Sequence, residues 1–192
     1  MNIKEQMQYA DSLLAKLEVV DPYVILAGGA PRDWHMGKEA NDLDFYVYSH
    51  AMTVDTFTQQ IFCATGLSVV PTYEKNGHNR SVYATMRDLR GIYEAHGDMP
   101  INIILMDKPG ALFTVVDQMS CSICKYYYKK GKVVQSRQAK ATEITKCIGI
   151  TEGYTMEDPH IKKMKERFSG EGYYFAPEAR LEGAVYLKVT AP

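Results

Sequence analysis

Asp42 and Asp44 stand two positions apart in the run Asp42-Leu43-Asp44-Phe45-Tyr46-Val47-Tyr48. On an extended strand, residues i and i+2 project from one face, roughly 7 Å apart. Two carboxylates held side by side repel each other, and without counter-charge one of them titrates upward. A divalent cation removes that conflict. Mg²⁺ in particular takes one or two carboxylates together with phosphate oxygens. Taken alone, an Asp-x-Asp fits a pair of solvated acids at a strand start equally well.

A second feature lies upstream. Gly28-Gly29 follows the apolar run Tyr23 to Ala27, and Pro31 fits the first turn of a short helix that closes at Gly37. A glycine pair at such a turn lets the backbone approach a ligand closely, and its amides offer an anion site. Arg32 adds a fixed positive charge suited to phosphate or to the acid pair. Asp33 reads as a brace for the loop rather than as a metal ligand. An acidic perch beside a phosphate-binding turn is what phosphoryl chemistry requires.

The run Gly28-Gly29-Ala30-Pro31-Arg32-Asp33, then three residues, Gly37, four residues and Asp42-Leu43-Asp44 resembles the signature of the DNA polymerase β-type nucleotidyltransferase superfamily. The likeness is to the head domain of CCA-adding enzymes and bacterial poly(A) polymerases, and it is strong over residues 24–48. It implies a metal-dependent enzyme that moves an NMP from an NTP, ATP among them, to an acceptor hydroxyl with release of pyrophosphate. The implied acceptor is an RNA end, a protein or a small molecule, and the implied metal is Mg²⁺ or Mn²⁺. Carried onto this chain, Gly28, Gly29 and Arg32 hold the triphosphate, and Asp42 and Asp44 hold the metal. The family brings a third carboxylate from a later strand. The matching position here is Asn102, in Ile101-Asn102-Ile103-Ile104-Leu105-Met106. An amide coordinates through its oxygen but does not accept a proton as a carboxylate does. Asp98, Asp107 and Asp117 are candidate substitutes. The alternative is a catalytically impaired nucleotide-binding module, or an interaction module, acting on a host factor. The stretch from Asn102 to Tyr128, with Val116-Asp117, also resembles small bacteriophage nucleotidyltransferase-like proteins. That likeness implies a phage protein in the cytoplasm of a bacterial host.

These residues need elements to position them. Ile3, Met7, Leu13, Leu14 and Leu17 recur at helical spacing over 3–18, ending by Asp21-Pro22. Thr53 caps a helix to about Cys63. Strand-like runs follow at 67–73, 81–86, 91–95 and 101–106, which predict antiparallel hairpins. A short helix is expected over 110–119 and a strand from Ser120 to Tyr128. Lys129-Lys130-Gly131-Lys132 turns a hairpin into Val133-Val134. Helices are expected near 140–148 and over 160–168. The fold class is α/β (α+β): a mixed or antiparallel sheet with helices flanking it, expected on one side. Residues 1–150 form the domain and 151–192 an extension packed on it.

Other signals carry less. Cys121-x-x-Cys124 has zinc-like spacing, but on a strand positions three apart face opposite sides, and no second pair accompanies it, so core thiols are expected. The histidines show no ligand spacing, and His35 is the one near the motif. Trp34 and Tyr46 could flank a base or fill core. Arg80, Arg87 and Lys108 are triphosphate partners or ordinary surface charges. Lys125 to Lys132 mixes cations and rings as single-strand binders do, or is a tyrosine-rich strand with a solvated turn. Lys162, Lys163, Lys165 and Arg167 make either a solvated helix face or an acceptor contact.

Composition bounds the rest. Hydrophobic residues make up 46% of the 192, which argues against disorder and suits one domain. Lys plus Arg is 22 against 23 Asp plus Glu, so no global basic field advertises nucleic acid. The four cysteines are expected as reduced thiols in a cytoplasmic setting. No apolar run nears the roughly 20 residues of a membrane span.

Overall fold

Leu43, Phe45 and Val47 point one way from their strand and Tyr46 points the other, and both sets are buried. That strand is therefore interior to a sheet covered on both faces. In the computed structural model, which describes residues 1–74, 86 and 88–176, the chain runs α1 (Ile3–Leu17), β1 (Ile25–Ala27), α2 (Gly29–His35), β2 (Leu43–Tyr48), α3 (Val54–Thr65), β3 (Val70–Glu74), β4 (Leu89–His96), β5 (Pro100–Met106), α4 (Ala111–Gln118), a 3₁₀ turn (Ser122–Cys124), β6 (Tyr126–Lys129), β7 (Lys132–Gln135), α5 (Arg137–Thr145), β8 (Cys147–Gly149), α6 (Pro159–Ser169) and β9 (Tyr174–Ala176). Seven strands form one mixed sheet in the order β3-β4-β5-β2-β1-β6-β7, with β8 and β9 as a separate parallel pair. Within the large sheet β2 and β5 run parallel and the other neighbours antiparallel. This is the expected α/β fold.

Helices flank both faces, where the sequence suggested one. Leu13, Leu14 and Leu17 of α1 and Phe57 and Ile61 of α3 cover the face of Phe45 and Ile103. Val115 and Val116 of α4 and Ile161, Met164 and Phe168 of α6 cover the face of Tyr46 and Ile104. The cause is that β2 and β5 are apolar on both faces, apart from Asp44 and Asn102, and each apolar face must be buried.

Local signals explain most boundaries. Asn2 caps α1 by accepting from the Glu5 amide at 3.0 Å, and the Glu5 carboxylate accepts from the Asn2 amide at 2.8 Å. Thr53 caps α3 in the same way. Lys130 and Gly131 both take positive φ, 53° and 74°, as a two-residue hairpin turn requires. Asp21 accepts from the amides of Tyr23 and Tyr48, tying the entry of β1 to the exit of β2.

Three expectations need correction or lie elsewhere. Ser120 to Tyr128 is not one strand, because the 3₁₀ turn precedes β6. Ser122 Oγ accepts from the Gly149 amide at 3.0 Å and Ser120 Oγ meets His160 Nδ1 at 2.6 Å, so these hydroxyls serve tertiary links instead of flanking a ladder. The helix expected near 140–148 spans Arg137–Thr145, because Ser136 caps it by accepting from the Ala139 amide at 3.1 Å. The strand expected over 81–86, together with Arg80 and Arg87, lies outside the described residues, Met86 excepted.

Candidate active site

Parallel pairing of β2 with β5 sets Asp44 opposite Asn102. Both therefore emerge on the same face of the sheet, and Asn102 Nδ2 donates to Asp44 Oδ1 at 2.8 Å. Asp42 sits just before β2 and is exposed, whereas Asp44 is 9% exposed. Burial, then repulsion from Asp42, pushes the Asp44 carboxyl up to about 7, while the Asn102 hydrogen bond, Lys163 and Arg32 pull the other way. Asp42 is thus solvent-exposed, whereas the buried Asp44 is reluctant to ionise.

β1 runs into Gly28, whose amide donates to the Tyr126 carbonyl at 2.9 Å. Gly28 has φ 91° and ψ −120°, a conformation that side chains resist. A Cβ there would stand 3.6 Å from Met119 Cε and 3.9 Å from Asp44 Oδ2. The glycine elbow and the buried carboxylate are therefore near neighbours. Upstream of the acids, the loop after α2 is pinned by Gln6. Its Oε1 accepts from Trp34 Nε1 at 2.8 Å and from the Ala40 amide at 2.9 Å, and its Nε2 donates to the Ala40 carbonyl.

Arg32 is 3% exposed. Its Nε donates to Asp33 Oδ1 at 2.9 Å, and its Nη1 donates toward Cys124 Sγ at 3.7 Å and Met164 Sδ at 3.5 Å. Its guanidinium stacks over the Phe168 ring at 5.2 Å. Burial opposes its charge, yet Cys124 and Asp33 outweigh that and hold it above its ordinary value. Its Nη2 lies 3.8 Å from where a Cβ on Gly29 would be, on the side of the elbow. Asp33 Oδ1 also accepts from Arg167 Nη2 at 2.8 Å, so Asp33 ties α2 to α6.

One cavity of about 510 Å³ gathers these groups. Gly28, Gly29, Arg32, Asp33, Asp42 and Asp44 line it. Asn102 does not line it and touches it only through Asp44. Opposite stand His160, Lys163, Met164 and Arg167 of α6, at i, i+3, i+4 and i+7, which is one helix face. Sequence reasoning noted the basic run but not this face. Ser120, Cys124 and Tyr154 also line it; Ser120 and Tyr154 carried no usable signal, and Cys124 was read as a core thiol.

Other sequence candidates lie elsewhere. Trp34 is buried core, edge-on to Tyr128 with centroids 5.2 Å apart, while Tyr46 lines the cavity. His35 faces Glu143 at 3.2 Å. Lys108 pairs with Asp88 at 2.9 Å. Asp98, Asp107 and Asp117 do not line the cavity, and Asp107 follows the far end of β5, some 17 Å along the strand from Asn102. Among the described residues no group of three His, Cys, Asp or Glu side chains converges. Lys125 is buried, donating to the Asp117 carbonyl at 2.8 Å, and Tyr126 and Tyr128 are buried, so the strand half of that run is occupied by the fold while Lys130 and Lys132 are exposed at its turn. Lys162 is exposed and pairs with Glu157 at 2.6 Å. Cys121 and Cys124 do not face opposite sides, because the 3₁₀ turn brings their sulfurs to 3.6 Å. Among the described residues no helix is long and apolar enough to cross a membrane.

Comparison with solved structures places the fold. A CCA-adding enzyme with CTP aligns with a TM-score of 0.60 at 14% identity, covering 92% of this chain and 43% of that one. The Bacillus stearothermophilus CCA-adding enzyme in complex with CTP aligns with a TM-score of 0.55 at 13% identity, covering 89% and 41%. A tRNA-processing enzyme in an apo form aligns with a TM-score of 0.55 at 17% identity, covering 91% and 44%. The chain has a nucleotidyltransferase-like fold and spans less than half the length of these neighbours. No protein-family model and no curated protein sequence matches it.

Proposed function

We propose that this cavity binds an NTP with a divalent cation and transfers its NMP unit to an acceptor hydroxyl, releasing pyrophosphate. The observation that carries the reading is Asp44. It is a buried carboxyl pushed up by burial and by Asp42, beside a glycine elbow and facing a cationic helix. Asp42 and Asp44 are an oxygen-only donor set, and Lys163 and Arg32 do not offset the burial and mutual repulsion of the ionised Asp44, which fits Mg²⁺ or Mn²⁺. Bound there, the cation supplies charge neutralisation to phosphate oxygens.

The chain's own residues do the positioning. The elbow at Gly28 and Gly29 lets a triphosphate come close to the backbone. Arg32, Lys163 and Arg167 offset its charge from two sides. Asn102 fixes the Asp44 carboxylate without competing for its charge. Barrier reduction comes from alignment and electrostatics rather than covalent catalysis. Two of the solved neighbours are CCA-adding enzymes with CTP, and a tRNA nucleotidyltransferase is complexed with a primer tRNA and an ATP analogue. These support an NTP and an RNA end as the first substrates to try. The sequence likeness to bacteriophage proteins supports host RNA or host protein as acceptors.

A second reading has its own observation. Asn102 stands where the resembling family has a third carboxylate, and it donates a hydrogen bond instead of accepting a proton. A nucleotide-binding protein without turnover would bind NTP and show no label transfer. The experiment is incubation with Mg²⁺ or Mn²⁺, each labelled NTP, and total RNA and protein, comparing wild type with the Asp42→Ala/Asp44→Ala double variant. Label on an acceptor that disappears in the double variant is expected. Transfer that survives in the variant removes this acid pair from the chemistry.

A further inference from the structure

We infer that Cys121 and Cys124 form a reversible dithiol/disulfide site on the cavity wall, in which Cys124 reacts with small disulfides and Cys121 completes the bond. The 3₁₀ turn Ser122–Cys124 creates this site. The Cys124 amide donates to the Cys121 carbonyl at 3.0 Å, folding the four-residue segment back on itself. The two sulfurs then lie 3.6 Å apart, a gap that small side-chain rotations close. Both thiols are free.

The two cysteines differ in access and charge. Cys124, itself only 4% exposed, lines the cavity, and the fully buried Cys121 does not. A solute entering the cavity meets Cys124 first. Arg32 Nη1 donates toward Cys124 Sγ at 3.7 Å, and Asp33, the carboxylate on Arg32, is shared with Arg167. A Cys124 thiolate would give Arg32 a second counter-charge. The hydrogen bond from Cys121, followed by Arg32 and His160, favours the Cys124 thiolate against burial, and Cys121 is correspondingly held as the thiol. One cysteine is thus set up to attack and the other to resolve.

The chemistry balances with a low-molecular-weight disulfide as oxidant. The Cys124 thiolate attacks one sulfur of oxidised glutathione, forming a mixed disulfide and expelling one glutathione thiolate. The Cys121 thiol gives up its proton and its sulfur attacks Cys124 Sγ. The second glutathione leaves as a thiolate, and that proton ends on glutathione. Two protein thiols are oxidised and one glutathione disulfide is reduced to two thiols. The product disulfide is neutral, so Arg32 is left with Asp33 alone.

The test uses the full chain. No Lys or Arg separates residues 109 and 124, so both cysteines fall in one tryptic peptide, apart from Cys63 and Cys147. The native protein is incubated with oxidised glutathione without oxygen, quenched in acid, alkylated, digested and weighed. The expected peptide is two hydrogens lighter, unalkylated, and restored by dithiothreitol. The exposed Cys63 acquires glutathione and reports that the reagent acted. Cys121→Ser should stop at a glutathione adduct on Cys124. Cys124→Ser should leave the peptide unmodified. Arg32→Gln should slow the first step about tenfold or more. A wild-type peptide that stays fully alkylated while Cys63 is modified overturns the inference without reliance on any variant. Attachment of glutathione to Cys121 in Cys124→Ser at the wild-type rate overturns the assigned order. The readout is independent of nucleotide transfer, so it stands or falls apart from the proposed activity.

Discussion

Replacing Asp44 with Asn should stabilise the metal-free protein above neutral pH while removing its response to divalent cations. In the folded chain this carboxyl keeps its proton up to about pH 7, whereas its ordinary value is 3.8. Between those values the unfolded chain has released the proton and the folded chain has not. The stability this group contributes is full below about pH 3.8 and is lost as pH rises to about 7. A difference of about 3 pH units at 1.36 kcal/mol each sets an upper bound of about 4 kcal/mol. Asn has the same shape, carries no charge and can still pair with the Asn102 amide. Asp44→Asn should therefore exceed wild type by about 2–4 kcal/mol at pH 8, with the gap closing near pH 4. For a chain of this size that is roughly 5–15 °C in Tm. Urea titrations at pH 4, 6 and 8, with EDTA and reductant, measure the gap. Adding MgCl₂ at pH 8 should raise wild type and leave the variant unmoved. A gap that is flat across pH, or a variant weaker than wild type at pH 8, would refute the claim that Asp44 carries a burial cost.

Four further outcomes follow from the same geometry. Cation affinity should fall about tenfold per pH unit below about 7, because binding must displace the Asp44 proton; calorimetric titration with Mn²⁺ at pH 5.5, 6.5 and 7.5 checks this. Asn102→Asp sets a carboxylate where an amide now lies 2.8 Å from Asp44, so the metal-free protein should lose about 1–3 kcal/mol at pH 8 and recover it with Mn²⁺, read by thermal melts with and without the ion. Gly28→Ala should cost about 1–3 kcal/mol through its φ of 91° and ψ of −120°, since both contacts its Cβ would make are ordinary in length; urea denaturation reads the cost. Lys163→Ala should weaken NTP binding by about 0.5–2 kcal/mol with little change in Tm, seen by fluorescence titration with a labelled nucleotide.

Much of the fold was legible because its signals are local. The period of Ile3 to Leu17, the cap at Thr53 and the Lys130-Gly131 turn each act within a few residues. The Gly28-Gly29 turn and the Asp42/Asp44 pair stood out for the same reason, since each falls within a few residues, although Asp42 lies just before β2 and not on it. What failed was non-local. The 3₁₀ turn at Ser122–Cys124 is tied to Gly149 and the Ser120 before it to His160, and nothing in the segment itself announces them. The second covered face of the sheet was missed because Asp44 and Tyr46 look like the polar half of an alternating strand, although α4 and α6 bury that side.

The cationic side of the cavity shows the same limit more sharply. His160, Lys163, Met164 and Arg167 share one helix face, and that pattern is present in the sequence. A basic run with several phases does not say which phase turns inward. Lys162 turns outward to Glu157, whereas Arg167 turns in to Asp33. The deciding residue is Asp33, 134 positions away, and its partner cannot be chosen without the fold. Asp44 is the converse case, a residue whose type and repulsion from Asp42 were read at once and whose burial was not. Alternation alone left a solvated acid and a metal ligand equally open, and only the register with Asn102 and the cover from α6 bury it. A carboxyl kept on an apolar face at a cost of up to about 4 kcal/mol when charged violates the rules that shape the rest of the sheet. That violation, lying where the elbow and the cationic helix meet, is the strongest physical reason to regard the cavity as a site rather than a packing defect.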